Sequence, residues 1–288
     1  GSLLVDSRFG LINVYLSLFG FLSVLFLLQY FKGKANMPFL LIGSFLLGLT
    51  FSIKWNGLGF WLMSVLFVVF ILFLNKRREK EQNQAPLNQE QKFYTNFLII
   101  LFLPFAGYLI FWIPDLLFNG TDIVDKHFQM ASYHTDNVEQ KLHPYSSSWF
   151  TWPIMLRPIA YYFSSQEVMN AAGYSMNIFN AVHLFPNPAL TLFSSIAIFI
   201  MSLNWLNSFS RFVSSKVYDS DFVAITFILF GYYANFLPWA LVSRSAFIYH
   251  YQASACFSFI ALAYLLYKIS LKGRLEYKAL YVISLSSI

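Results

Sequence analysis

Long apolar runs separated by short polar stretches set the pattern of this chain. Runs near the roughly 20 residues that cross a bilayer occupy 10–30, 57–74, 93–113, 187–206, 222–241 and 249–267. The run at 38–53 is shorter, which predicts a span with little tilt or a thinned bilayer around it. The run at 279–288 is still apolar where the sequence stops. One such run would fit a buried helix of a soluble protein, but a succession of them predicts an all-α, multi-pass membrane protein. The expected layout is three parts: membrane helices over 1–113, an extracytoplasmic or interfacial segment over 114–186, and further membrane helices over 187–288.

Composition agrees, because 58% of residues are hydrophobic and 11% are charged, against about 25% charged in soluble domains. The net charge of +6 would suggest nucleic acid in a soluble protein. Here the basic residues lie between apolar runs, where they set orientation, and no nucleic-acid partner is expected. One set of connections carries Lys32, Lys34, Lys76, Arg77, Arg78, Lys80, Lys92, Arg211, Lys216, Lys268, Lys272, Arg274 and Lys278. The other carries Arg8, Lys54, Lys126, Lys141, Arg157 and Arg244. The richer set predicts the cytoplasmic side. On that side 75–92, charged and rich in Gln and Asn, reads as a flexible linker.

Cys256 is the sole cysteine, so no intrachain disulfide can form. Neither HExxH nor CxxC occurs, so no zinc or iron site is expected, and whether another metal takes part is left open. No Ser/His/Asp spacing marks a nucleophile. Asn119-Gly120-Thr121 fits a glycosylation acceptor, a pattern common by chance. The sequence begins Gly-Ser without Met and shows no signal peptide, so both ends read as cut.

The outer segment contains HPYSSSWFTWPIMLRPIAYYF over 143–163. It is too polar to span and too aromatic for an ordinary solvated loop. Trp149, Trp152, Tyr145, Tyr161 and Tyr162 suit a membrane boundary, and Pro153 and Pro158 break any long helix. The segment is therefore expected to lie along the membrane surface, offering Arg157 and His143 to an anionic partner. Other outer connections bring Arg8, Lys54 beside Trp55, and Arg244 ahead of Tyr249 and His250. Taken singly, each cation could snorkel to headgroups, each Trp could be a belt residue, and His143 and His250 could be structural. Taken together, outer cations among aromatics suit a lipid-linked phosphate, which arginine grips through two oxygens. Asp6, Asp115, Asp122, Asp125, Asp136 and Glu139 are also on this side, none in a distinctive motif.

These residues resemble the phospholipid carrier-dependent glycosyltransferases, in particular the protein O-mannosyltransferase family of bacterial type. That family's outer loop runs His-Pro-Tyr-x-Ser, Trp, then Trp-Pro-Leu-x-x-Arg-Pro. Here this falls on His143, Pro144, Tyr145, Ser147, Trp149, Trp152, Pro153, Arg157 and Pro158. Ser7-Arg8 with Leu11 is similar to its Ser-Arg-x-x-Leu-Leu-Asp stretch, with Asn13 in place of the Asp. Residues 52–58, SIKWNGL, are similar to its Lys-Trp-x-Gly-Leu turn. Asn187-Pro188 and the 247–251 stretch also match in order.

The resemblance implies part of a GT-C transmembrane fold. It implies transfer of a sugar, mannose by family habit, from a polyprenyl-phosphate carrier to Ser or Thr of an acceptor protein emerging from the translocon. The site would face outward from a bacterial plasma membrane, with no cofactor beyond the donor substrate. Arg8, Lys54, Arg157 and Arg244 would line the carrier phosphate, and His143, Tyr145, Trp149 and Trp152 the sugar or acceptor. The family's catalytic Asp-Glu pair has no counterpart here, so the catalytic residue is expected upstream and the isolated piece is expected to be inactive. A lipid or glycan acceptor on the same fold, or a non-catalytic carrier-binding scaffold subunit, are the alternative readings.

Overall fold

The structure, a computed structural model, describes residues 2–82, 87–120, 122–135, 143–169, 171 and 173–271, with the backbone course alone at 2, 3, 75–82, 87–92, 134 and 135. The expected charges at Lys76, Arg77, Arg78, Lys80, Lys92, Asp136, Glu139, Lys141, Lys272, Arg274 and Lys278, and the run at 279–288, lie outside the described residues or side chains. Among the described residues ten α-helices and one hairpin, joined in places by short 3-10 turns, follow in order: α1 (Ser2–Arg8), α2 (Asn13–Phe31), α3 (Met37–Ile53), α4 (Leu58–Gln82), α5 (Leu87–Ile110), α6 (Ile113–Asn119), α7 (Ile123–Thr135), β1 (Ile159–Met169), β2 (Ser175–Leu184), α8 (Pro188–Ser215), α9 (Ser220–Phe236) and α10 (Gln252–Leu271).

Six helical stretches are long and apolar enough to cross a membrane, and Met37–Ile53 is a shorter apolar helix. The membrane part is thus all helical, as the hydropathy pattern predicts, and the chain is an integral membrane protein. Helices α4 and α5 run on into the polar 75–92 segment, to Gln82 and from Leu87. Lys, Arg, Glu and Gln are good helix formers, so the segment continues its neighbouring helices instead of forming the expected loop over its whole length.

The bundle is held by close helix crossings. Helix α2 packs on α3, α3 on α5, α4 on α9, and α8 and α9 on α10. Ser23 Oγ donates to the Gly43 carbonyl at 2.6 Å, across α2 and α3. Pro104 sits inside α5, where its missing N–H leaves the Ile100 carbonyl without its helical donor. The Trp61 indole N–H supplies one from α4 at 3.2 Å. Within a bilayer no water can replace it. Trp61→Phe is therefore expected to cost about 1–3 kcal/mol, read as a thermal midpoint several degrees lower; an unchanged midpoint would show that the carbonyl finds another donor.

Because successive spans alternate in direction, one end of the bundle collects the start of α2, the α3–α4 junction, the end of α5, the start of α8 and the α9–α10 connection. Helices α6 and α7, the 143–158 segment and the hairpin are attached at this end. The hairpin is antiparallel, pairing Ile159 with Leu184 and Met169 with Ser175, with an irregularity between Ala160 and Tyr162. Its outer part is exposed on both faces, with Phe163 and Phe179 each about 64% and 63% exposed. The hairpin adds strand to the expected all-helical architecture, outside the membrane helices. Its residues are rich in Tyr, Phe, Val and Ile, which favour strands, and Gly173 supplies a positive φ of 81° beside the turn.

Candidate functional site

The site is built where the amino-terminal end meets the α3–α4 junction. Gly10, at φ 66°, takes the left-handed conformation that folds α1 back toward α2, and Leu11 N–H donates to the Asp6 carbonyl at 3.0 Å. This brings Asp6 and Asn13 to one side. Asp6 has 0% exposure. Its Oδ1 accepts the Tyr161 hydroxyl at 2.7 Å, which ties α1 to the first residues of β1. Its Oδ2 has no hydrogen-bond partner among the described residues.

Lys54, half-buried, faces the same place. Its ammonium donates to Asn13 Oδ1 at 3.3 Å and lies 5.3 Å from the centre of the Tyr249 ring. Burial and then the Arg244 charge hold the Lys54 pKa down, to about 8, while Asp6 pulls the other way. Burial likewise pushes the Asp6 carboxyl above its usual range, against the opposing effects of Tyr161 and Lys54. Burial and the Asp6 carboxylate both raise the Tyr161 phenol. Asp6, Lys54 and Arg244 therefore share one electrostatic neighbourhood, assembled from α1, the α3–α4 junction and the α9–α10 connection.

The 143–158 segment docks on that last connection. Ser147 N–H donates to the Ala246 carbonyl at 2.9 Å, and His143 N–H reaches Ser245 Oγ at 3.5 Å. Arg244 donates to the Ser245 carbonyl at 3.1 Å and its guanidinium lies 5.7 Å from the Tyr133 ring centre. Exposed Arg157 donates to the Ser146 carbonyl at 3.3 Å, so it stands on the same zipped pair of loops. Exposed Arg8 ends α1, and the next residue, Phe9, sets its ring 5.2 Å from Tyr161.

The aromatic residues divide. His143 and Tyr145 are exposed, with Tyr145 N–H donating to His143 Nδ1 at 3.2 Å. Trp149 is half-buried against Phe236. Trp152 is 1% exposed, donates to Ser147 Oγ at 2.9 Å and packs on Trp239 and His250. With no open face, Trp152 anchors the segment to the bundle instead of lining a sugar. His250, also buried, is engaged through Nδ1 with the Phe247 backbone, the structural role anticipated for it.

Immediately after Lys54 begins a largely apolar groove of about 420 Å3, lined by Trp55, Asn56, Trp61, Ala131, Pro238 and Trp239 among others. One wall is fixed by a relay. The Trp55 N–H donates to Tyr108 Oη at 3.1 Å, and Tyr108 Oη is 2.7 Å from His127 Nε2. The His127 Nδ1 is 2.6 Å from the Ile123 carbonyl. That carbonyl can only accept, so Nδ1 carries the proton, Nε2 accepts from Tyr108, and α7 is locked onto α5.

Sequence reasoning passed over Asp6, Tyr161 and Tyr249 as site residues. The available signal was that Asp6 is the sole acid before Glu79. Among the described residues no cluster of three or more His, Cys, Asp or Glu could hold a metal ion.

Comparison with known proteins bears on all of this. Residues 1–117 match the family model described as dolichyl-phosphate-mannose-protein mannosyltransferase. Residues 120–288 match the C-terminal four-transmembrane region of protein-O-mannosyltransferase. Two curated relatives, from two strains of Mycolicibacterium smegmatis, are named polyprenol-phosphate-mannose–protein mannosyltransferase. Each is 28% identical over 248 residues, covering 77% of this chain and 45% of the relative. The chain thus spans about half the length of the relatives it matches. No solved structure matches.

Proposed function

From a chain that belongs to the protein O-mannosyltransferase family, we propose a protein that moves mannose from a polyprenyl-phosphate carrier to Ser or Thr hydroxyls of an acceptor protein. The site faces the extracytoplasmic side of a bacterial plasma membrane, where translocating chains emerge. The observation that carries this reading is the half-buried Lys54 ammonium, in the field of Arg244, one residue ahead of Trp55 and Asn56 in the lining of an apolar groove. A long prenyl chain needs the groove, and its phosphate needs the cations.

Cleaving the mannosyl–phosphate bond leaves a phosphate monoester with added negative charge. Lys54 and Arg244 are placed to stabilise that charge as it develops, a contribution that matters most where water is excluded. Exposed Arg157 completes the phosphate side from the docked loop, and its planar guanidinium suits two phosphate oxygens. Arg8 approaches from the end of α1. His143 and Tyr145 border the sugar and acceptor, with Trp149 beside them. The hydroxyl attacks the anomeric carbon while a carboxylate takes its proton. The family resemblance assigns that base to an Asp-Glu pair, which this sequence does not contain. The 288 residues alone are accordingly expected to hold the carrier without turning it over.

Two measurements test the reading. In the intact enzyme, Arg157→Ala is expected to lower transfer about 10- to 100-fold, the scale of a lost charge-assisted hydrogen bond, with an unchanged thermal midpoint. Near-normal turnover would remove Arg157 from the site. Mass analysis of labelled products should find mannose on Ser or Thr; mannose recovered on lipid or glycan instead would overturn the acceptor assignment.

A further inference from the structure

Asp6 is buried, with one oxygen held by Tyr161 and the other without a partner among the described residues, and Lys54 is the cation that acts on it. A carboxylate taken from water is costly unless charge and hydrogen bonds compensate. One phenol, Tyr161, is a modest return for that cost. The groups facing Lys54 are Asp6 from α1, Asn13 from α2, Arg244 from the α9–α10 connection and Tyr249 at the start of the last described span. Those facing Asp6 are Tyr161 from β1, Lys54 and Tyr249. Of the groups acting on Lys54, Asp6 is the one that favours its charge, whereas Arg244 opposes it. Asp6 also lines a cavity of about 20 Å3 with Thr191, Tyr249 and Gln252, room for about one water. With no exposed surface, its charge is little screened by bulk solvent.

We propose that Asp6 is a positioning residue of this site: from inside the protein, across the Tyr249 ring that both groups neighbour, it holds Lys54 as an ammonium, while Tyr161 keeps its carboxylate aimed. The inference rests on the reading of Lys54 as a phosphate ligand, and it gives that reading an internal counter-charge contributed by α1 and tied to the hairpin. The incoming phosphate then meets a cation whose charge is already sustained beside Arg244.

The test uses the full-length enzyme, with Lys54 followed by the carbon-13 resonance of its dimethylated amine and assigned by its absence in Lys54→Arg. In Asp6→Asn the Lys54 titration should move down from about 8 by roughly one unit, the effect of losing a nearby opposite charge. The alkaline limb of kcat/KM for polyprenyl-phosphate mannose should move with it, lowering kcat/KM about threefold at pH 7.5. Lys54→Arg, which stays charged, should abolish that limb in both backgrounds. An unmoved Lys54 titration in Asp6→Asn overturns the proposal. If the wild type transfers no mannose while the titration still shifts, the functional reading fails and the Asp6–Lys54 coupling stands. Should Asp6→Asn accumulate poorly, adding Lys54→Met should restore it, since no ammonium is then left without its anion. Failure to restore would show that Asp6 is held for another reason.

Discussion

Replacing Lys54 with alanine is expected to lower kcat/KM for the polyprenyl-phosphate sugar by about two to three orders of magnitude, the usual result of removing a preorganised group that meets developing charge. The site explains the size. Lys54 is half-buried against Asn13 and Tyr249, so the fold fixes where its charge stands. The loss should be pH dependent in the wild type. With its pKa held down to about 8, Lys54 is charged and competent below that value and loses its grip as the pH rises through it. Folding responds with the opposite sign. The fold disfavours this charge relative to an unfolded lysine at 10.5, so the group's penalty is present below pH 8 and fades between about 8 and 10.5. Lys54→Ala removes that penalty but leaves the buried Asp6 without its cation, so its transfer rate is compared with the wild type on protein shown to be folded. A folded variant that transfers normally would contradict the assignment.

The second large effect concerns the bundle that carries the site. A Cβ added at Gly48 would fall well inside van der Waals contact of the Pro104 carbonyl oxygen, and would crowd the Tyr108 backbone nitrogen as well. Those are backbone atoms of α5 and cannot step aside as a flexible side chain would. Gly48→Ala must open the α3–α5 crossing, at a cost of about 1–3 kcal/mol or more. It should also displace Tyr108, which holds Trp55 and His127 through its hydroxyl. A lower thermal midpoint together with a weakened carrier KM is the expected pair of results. A midpoint equal to that of the wild type would mean that the helices do not approach as closely as described.

The spans were legible because each is a continuous apolar run, and that signal needs no partner. The docked segment at 143–158 was legible as special through its prolines and tryptophans. Its attachment to Ser245 and Ala246 was not, because that depends on hydrogen bonds between residues about 100 apart. The hairpin left little trace: both faces of its outer part are exposed, so the alternation that marks a half-buried strand is absent. Trp152 was read with the boundary aromatics because composition cannot separate a belt indole from one buried on Trp239. Asp6 was read as unremarkable for a similar reason. Its meaning comes from Lys54 and from Tyr161, and the latter lies 155 positions away.

The most direct measurement is photo-crosslinking of the intact protein in lipid nanodiscs with a polyprenyl phosphate carrying a photoreactive group near its phosphate. Labels should concentrate at residues 55–62 and 238–242, around the groove beside Lys54, and unlabelled carrier should compete them away. Labels spread along the lipid-facing surface of α8, or gathered at the opposite end near Lys32 and Lys34, would contradict it.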